Sequence, residues 1–313
     1  MIILSEQTEK NFPDTVTDRP YTQYLKVIEL IPGALRITPA KLSVALVCLC
    51  SLLSVPSASA ADAVPPAAKP GIADTIADDY RGYFSKDRLT RLGIAIGLGG
   101  IAANTNIDTN IRNWYQDKVR NEQTDSWASS EDSNAAFRAK LFGEGKYMVP
   151  VALLAASVNY LDTDTAVGGW GANASRAYIV GLPAMWGMQF ATGAARPSSY
   201  APSGSAWRPF NQDGYAHGVS GHSFVGAVPF LTIAYMNPDN GWVKYPAYLA
   251  SMAAGWSRIN DDAHYPSQVV LGWYMAYEAV DTVFENNGKK KKGLTVAPMA
   301  GLDGFGLMAH AEW

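Results

Sequence analysis

Six helix-length apolar stretches, set apart by Gly and Pro clusters, limit what this 313-residue chain can fold into more than any other feature. They run from Arg88 to Ala103, Tyr147 to Tyr160, Arg176 to Ala194, Ser223 to Met236, Val243 to Arg258 and Ser267 to Phe284. Each is longer than an ordinary strand, and most lack the alternation of apolar and polar residues that a half-buried strand requires. The Gly and Pro residues between them mark the connections. Asp74 to Phe84 adds an amphipathic helix, and the polar stretch from Gln116 to Asn134 reads as an exposed connection. No fixed-period repeat is visible. Apolar helices joined in this way must bury their faces against each other, so the expected fold class is all-α, a helical bundle around a shared core. A polytopic membrane protein is disfavoured. After position 60 no run of about 20 uninterrupted apolar residues occurs, and the nearest approach, Ala177 to Ala195, carries Gln189 and Thr192.

Both ends of the chain read differently from its middle. Lys41, the apolar stretch Leu42 to Val55 and the A-x-A string Ala58-Ser59-Ala60 have the form of a secretory signal, which makes residues 1–60 a leader and signal peptide. An uncleaved N-terminal anchor is the alternative. Export to the bacterial periplasm follows as the expected location. Cys48 and Cys50 both lie in that signal, so the exported chain would carry no thiol, disulfide or cysteine-based metal site. Residues 61–72, rich in Pro and Ala, read as a linker, and 73–288 as the helical domain. Residues 289–313 hold the basic linker Lys289 to Lys292, then two short strands around Gly301-Leu302-Asp303-Gly304, a C-terminal β-hairpin. The lysine run reads foremost as a solvated linker and otherwise as a peripheral contact with an anionic membrane surface. With 48% apolar and only 17% charged residues the chain is not disordered, and a net charge of −3 argues against nucleic acid as a partner.

Two motif-like strings carry little weight. Gly97-Leu98-Gly99-Gly100-Ile101-Ala102 loosely matches a dinucleotide loop, but no strand–helix alternation surrounds it, so glycines for close helix packing are the better reading. Asp261, Asp262 and His264 lie close together without a partner motif, and no metal is expected there. The chemistry concentrates elsewhere. Three of the four histidines, His217, His222 and His264, fall within 48 residues. In the same region stand Arg196-Pro197, then Ser220-Gly221-His222-Ser223, then Ser257-Arg258 with five residues before His264, and Gln268 four residues further on. A glycine at a helix N-terminus lets backbone N–H groups approach an anion. Two arginines offer planar forks of donors to phosphate oxygens. Two histidines supply a nucleophile and a proton donor near neutral pH. Gln268, one helical turn beyond His264, is placed to fix its tautomer.

These three strings resemble the signature motifs of the type 2 phosphatidic acid phosphatase and vanadium haloperoxidase superfamily, K-x6-RP, PSGH and SR-x5-H-x3-D, in order and internal spacing over about 80 residues. The resemblance implies a helical bundle with the site between its helices, as in the acid phosphatases and haloperoxidases. It implies His264 as nucleophile through a phosphohistidine, His222 as general acid, and Arg196, Arg258, Ser220 and Gly221 as the phosphate cradle. The implied substrate is a phosphorylated small molecule or a lipid phosphate, hydrolysed without a cofactor; vanadate enters only if the haloperoxidase branch applies. The chain departs from the pattern at three positions. Gln189 stands where the family has lysine, Gln268 where it has aspartate, and Val219 where it has proline. The first two remove charges from the site, which leaves a phosphate- or phospholipid-binding protein without turnover as the alternative.

Overall fold

The computed structural model describes residues 71–122, 124, 135–161, 165–199, 203–211, 215–288, 293–301 and 304–312. The leader and signal, most of the linker at 61–72, the lysine run and most of the polar stretch after Asn121 lie outside these residues. Among the described residues ten α-helices follow in order: α1 (Ile72–Tyr83), α2 (Lys86–Ala103), α3 (Ile107–Lys118), α4 (Ala135–Phe142), α5 (Gly145–Leu161), α6 (Ala166–Thr192), α7 (Gly221–Met236), α8 (Gly241–Ser251), α9 (Ala253–Asn260) and α10 (Pro266–Gly288). No strand occurs among the described residues from 71 to 288, so the all-α class holds there. Further on, the backbone of β1 (Gly293–Gly301) pairs antiparallel with β2 (Gly304–Glu312), Gly301 opposite Gly304.

The sequence reading needs four corrections, the first being that α4 (Ala135–Phe142) forms where no helix was expected. Helix α3 occupies Ile107–Lys118, running into the stretch expected to be an exposed connection. The expected helix over 243–258 breaks at Met252 into α8 and α9. Helix α6 begins at Ala166, ten residues earlier than expected, with the Thr165 hydroxyl accepting from the Gly168 amide as its N-cap.

Helix α7 is the centre of the bundle. Eleven of its 16 residues are buried, and α6, α8, α9 and α10 pack around it. A helix interior that carries proline leaves the carbonyl four residues earlier without its usual donor. Two such carbonyls are satisfied from neighbouring helices. Pro229 frees the Val225 carbonyl, which accepts from the Tyr178 hydroxyl at 2.8 Å, and Pro183 frees that of Ile179, which accepts from Tyr80 at 2.7 Å. Helix α10 is tied to α2 by charge. The Arg88 guanidinium, almost fully buried, bonds the Glu278 and Asp281 carboxylates at 2.7 and 2.8 Å, and Arg91 reaches Glu278 with two N–H groups. Gly99 of α2 sits against Leu271, whose side chain would have to shift to admit a Cβ 2.8 Å away, which gives that glycine a packing role. No single helix among the described residues is long and apolar enough to cross a membrane; α4 and the first part of α5 reach that threshold only together, bent by 52°.

Candidate active site between α6, α7, α9 and α10

The sharp turns that carry the site residues follow from local sequence. Helix α6 ends at Gly193, whose backbone is left-handed (φ 57°), and a Cβ there would lie 1.8 Å from the Arg208 carbonyl oxygen. The chain then runs through Ala194 and Ala195 to Arg196, fixed by two bonds: the His217 amide donates to the Ala194 carbonyl (3.1 Å) and Gln268 donates to that of Ala195 (2.9 Å). After α9 the Ala263 and His264 amides both turn back to the Arg258 carbonyl, and Asp262 adopts a left-handed backbone held by its ion pair with Arg112. Asp108 of α3 receives both the amide and the hydroxyl of Ser267, so a carboxylate from a distant segment caps the first turn of α10.

Gln268 organises the centre. Its Oε1 accepts from the Tyr265 backbone N–H at 3.2 Å, a group that can only donate, so this end of the amide is the oxygen. The same Oε1 lies 2.8 Å from His264 Nδ1, which must therefore carry the proton. Neutral His264 accordingly holds a lone pair on Nε2. The opposite end of the amide, Nε2, donates to Ala195 beside Arg196, a bond that a carboxylate could not make. The Gln268 carbonyl in turn accepts from the Ser220 amide at the head of α7. One buried glutamine thus links the His264 ring to the arginine turn through its side chain, and α10 to α7 through its backbone.

Burial holds the His264 pKa well below the ordinary histidine value, and Arg196, His217 and Arg258 push it the same way. The His217 ring stands 6.4 Å from that of His264 and nearly perpendicular to it; burial and then Arg196 lower its pKa to about 4. Both rings are neutral at physiological pH. His222, in the first turn of α7, is shifted down by burial and by Arg258, while Glu144 opposes the shift. Its Nε2 lies 3.3 Å from Glu144 Oε1.

Arg258 is buried and pairs through one terminal nitrogen with Asp261, whereas its Nε has no hydrogen-bond partner among the described residues. A buried guanidinium N–H without an acceptor suits an oxyanion. Arg196 reaches solvent at the rim; burial of its surroundings lowers its pKa, but a guanidinium remains charged. Ser220 caps α7, its Oγ accepting from the Ser223 amide at 3.3 Å and keeping its own proton to donate. Gly221 begins the helix, where amides lack intrahelical partners. Gln189, at the end of α6, donates to the Val219 carbonyl at 2.8 Å, so a neutral amide lies against the head of α7 where the family pattern has a cation.

All eight residues singled out from the sequence thus stand at the ends of α6, α7, α9 and α10 or in the turns that adjoin them. Sequence reading missed Glu144, Asp108 and Arg112. Glu144 sits in the short Gly143-Glu144-Gly145 turn and offers no periodic signal. No curated protein and no solved structure matches the chain. A family model does: residues 174–286, which carry all three motifs, match the model of the PAP2 superfamily, a group of phosphatase-type proteins.

Proposed function

We propose that this protein is an exported phosphatase that hydrolyses phosphomonoesters or lipid phosphates through a phosphohistidine on His264. The observation that carries this reading is the Gln268–His264 bond, which leaves the His264 Nε2 lone pair available in a ring that burial keeps neutral. That nitrogen attacks phosphorus while the phosphorus–oxygen bond to the leaving group breaks. Protonated His222 gives a proton to the departing oxygen. Neutral His222 then takes a proton from water, whose oxygen attacks the phosphohistidine and releases inorganic phosphate. Arg196, Arg258 with its free Nε–H, the Ser220 hydroxyl and the Gly221 amide hold the three equatorial oxygens on which charge spreads. No cofactor takes part. The same cradle suits vanadate less well, because Gln189 offers an amide where a cation would balance the oxyanion's charge; vanadate-dependent bromide oxidation tests that branch.

Export to the periplasm rests on the signal-like segment before residue 61, and peripheral contact with a membrane on the lysine run. The experiment is hydrolysis of p-nitrophenyl phosphate from pH 4 to 9 by the purified protein and by His264→Ala. Turnover that vanishes in the variant is expected. Activity unchanged in the variant would remove His264 from its role. Phosphate binding without turnover in the folded wild type would establish the binder, the reading that the two glutamines favour.

A further inference from the structure

We propose, building on the phosphatase reading, that Glu144 is a positioning residue for the general acid: its carboxylate orients the His222 ring and favours its protonated form, supplying to the second histidine the charge that residue 268 does not supply to the first. Glu144 lies outside the motif-bearing segment, yet its place is fixed by packing. Gly143 sits against the first turn of α7 so closely that a Cβ there would stand 2.8 Å from the His222 carbonyl oxygen and 2.9 Å from the His222 Cβ. The Gly143 amide bonds the Lys140 carbonyl (2.8 Å), and the Glu144 carbonyl accepts from the Tyr147 and Met148 amides (2.9 and 3.1 Å). The turn between α4 and α5 is thereby pinned at both ends, with the Glu144 carboxylate 3.3 Å from His222 Nε2.

The charges around His222 explain why a carboxylate is needed there. Arg258 faces the ring from α9 and Lys140 from α4, and both favour its neutral form, as burial does; Glu144 is the anion that opposes them. Lys146 stands 3.9 Å from the other Glu144 oxygen, at the exposed side. A general acid must carry its proton when the leaving oxygen departs. Stripped of Glu144, the His222 ring would face two cations and lose that proton at lower pH. With Nε2–H turned to Glu144, the proton passed to the leaving oxygen is the one on Nδ1, and the same nitrogen recovers a proton from the attacking water. At His264 the reverse holds. A neutral amide partner suits a nucleophile that must stay unprotonated.

The test compares wild type with Glu144→Gln, which keeps size and hydrogen bonding but removes charge, and with Glu144→Asp, which keeps charge. The readouts are the pH profile of kcat/KM for p-nitrophenyl phosphate and for an alkyl phosphate, and the His222 pKa by NMR titration. In Glu144→Gln the alkaline limb and the His222 pKa are expected to fall by about one unit. Above that limb, kcat/KM for the alkyl ester falls about tenfold, as the protonated fraction does. The p-nitrophenyl ester loses much less, because p-nitrophenolate departs without a proton, and Glu144→Asp restores part of the loss. Equal His222 pKa values and equal leaving-group dependence in wild type and Glu144→Gln would overturn the proposal. If wild type shows no turnover at any pH, the phosphatase reading falls, and the titration alone decides the pair: a lower His222 pKa in the variant upholds it, an unchanged one overturns it.

Discussion

Replacing Gln268 by leucine tests the central geometry without changing the side chain's bulk. Gln268 is 1% exposed, so whatever it leaves unpaired stays unpaired. The substitution removes the partner of three groups at once: His264 Nδ1–H, the Tyr265 amide and the Ala195 carbonyl. Each buried group left unsatisfied costs about 1–3 kcal/mol. The three share one small site that can relax together, and the leucine gains apolar burial, so the sum is not additive. A net loss of about 3–4 kcal/mol is expected. In a helical domain of this size that lowers Tm by about 10 °C. The chemical consequence is separate from the thermal one. With Oε1 gone, nothing holds the His264 proton on Nδ1, and the tautomer that protonates Nε2 removes the nucleophilic lone pair. Thermal melting at pH 7 reads the first effect, and nitrogen-15 NMR of the His264 ring reads the second. A variant that melts within about 2 °C of wild type, or a wild-type ring with its proton on Nε2, would refute the bonding scheme and the reasoning built on it.

Two further predictions concern the bundle. Tyr178→Phe leaves the Val225 carbonyl, freed by Pro229, without a donor in the core; a loss of about 1–3 kcal/mol is expected, seen as a lower denaturation midpoint at unchanged m. The second is a pH dependence of stability. His217, His222 and His264 all have pKa values lowered by burial, so the unfolded chain takes up protons near the ordinary value of about 6.5 that the folded chain refuses. Stability therefore falls as pH drops below that value, by at most about 1.4 kcal/mol per pH unit for each histidine still neutral in the fold. Chemical denaturation at pH 7, 6 and 5 reads this above the carboxylate range, and a flat profile would contradict it.

What could be read from the sequence was whatever a short window contains. Apolar stretches of helical length marked most helices, because burial of one face is a local property of the chain. Helix α3 escaped because its apolar residues, Ile107, Ile111, Trp114 and Tyr115, are diluted by polar ones, and what it buries includes Asp108, whose partner lies 159 positions away. The early start of α6 escaped because its glycines look like breakers. In the fold they allow contact: a Cβ on Gly171 would come within 2.2 Å of the Ala156 backbone nitrogen of α5. The break at Met252 carries no Gly or Pro signal. Within the site, motif spacing located the histidines and arginines, since each motif spans a single turn or helix end. The same spacing could not show that Gln268 bonds Ala195, 73 positions away, nor that Glu144 faces His222 across 78. Such pairings belong to the tertiary arrangement.

The cap that Asp108 places on α10 bears on how such a domain can be inherited. The segment that carries the motifs and the segments that hold it in shape are not the same. Asp79, Arg88, Arg91, Asp108 and Glu144 all precede residue 174, and they anchor Arg176, Glu278, Ser267 and His222 within the matched span. A recombination that moved the motif-bearing segment alone into another chain would carry the reactive groups and leave their supports behind. Drift in the upstream helices is thus constrained by partners far along the chain, and the motifs by themselves are not a transferable module.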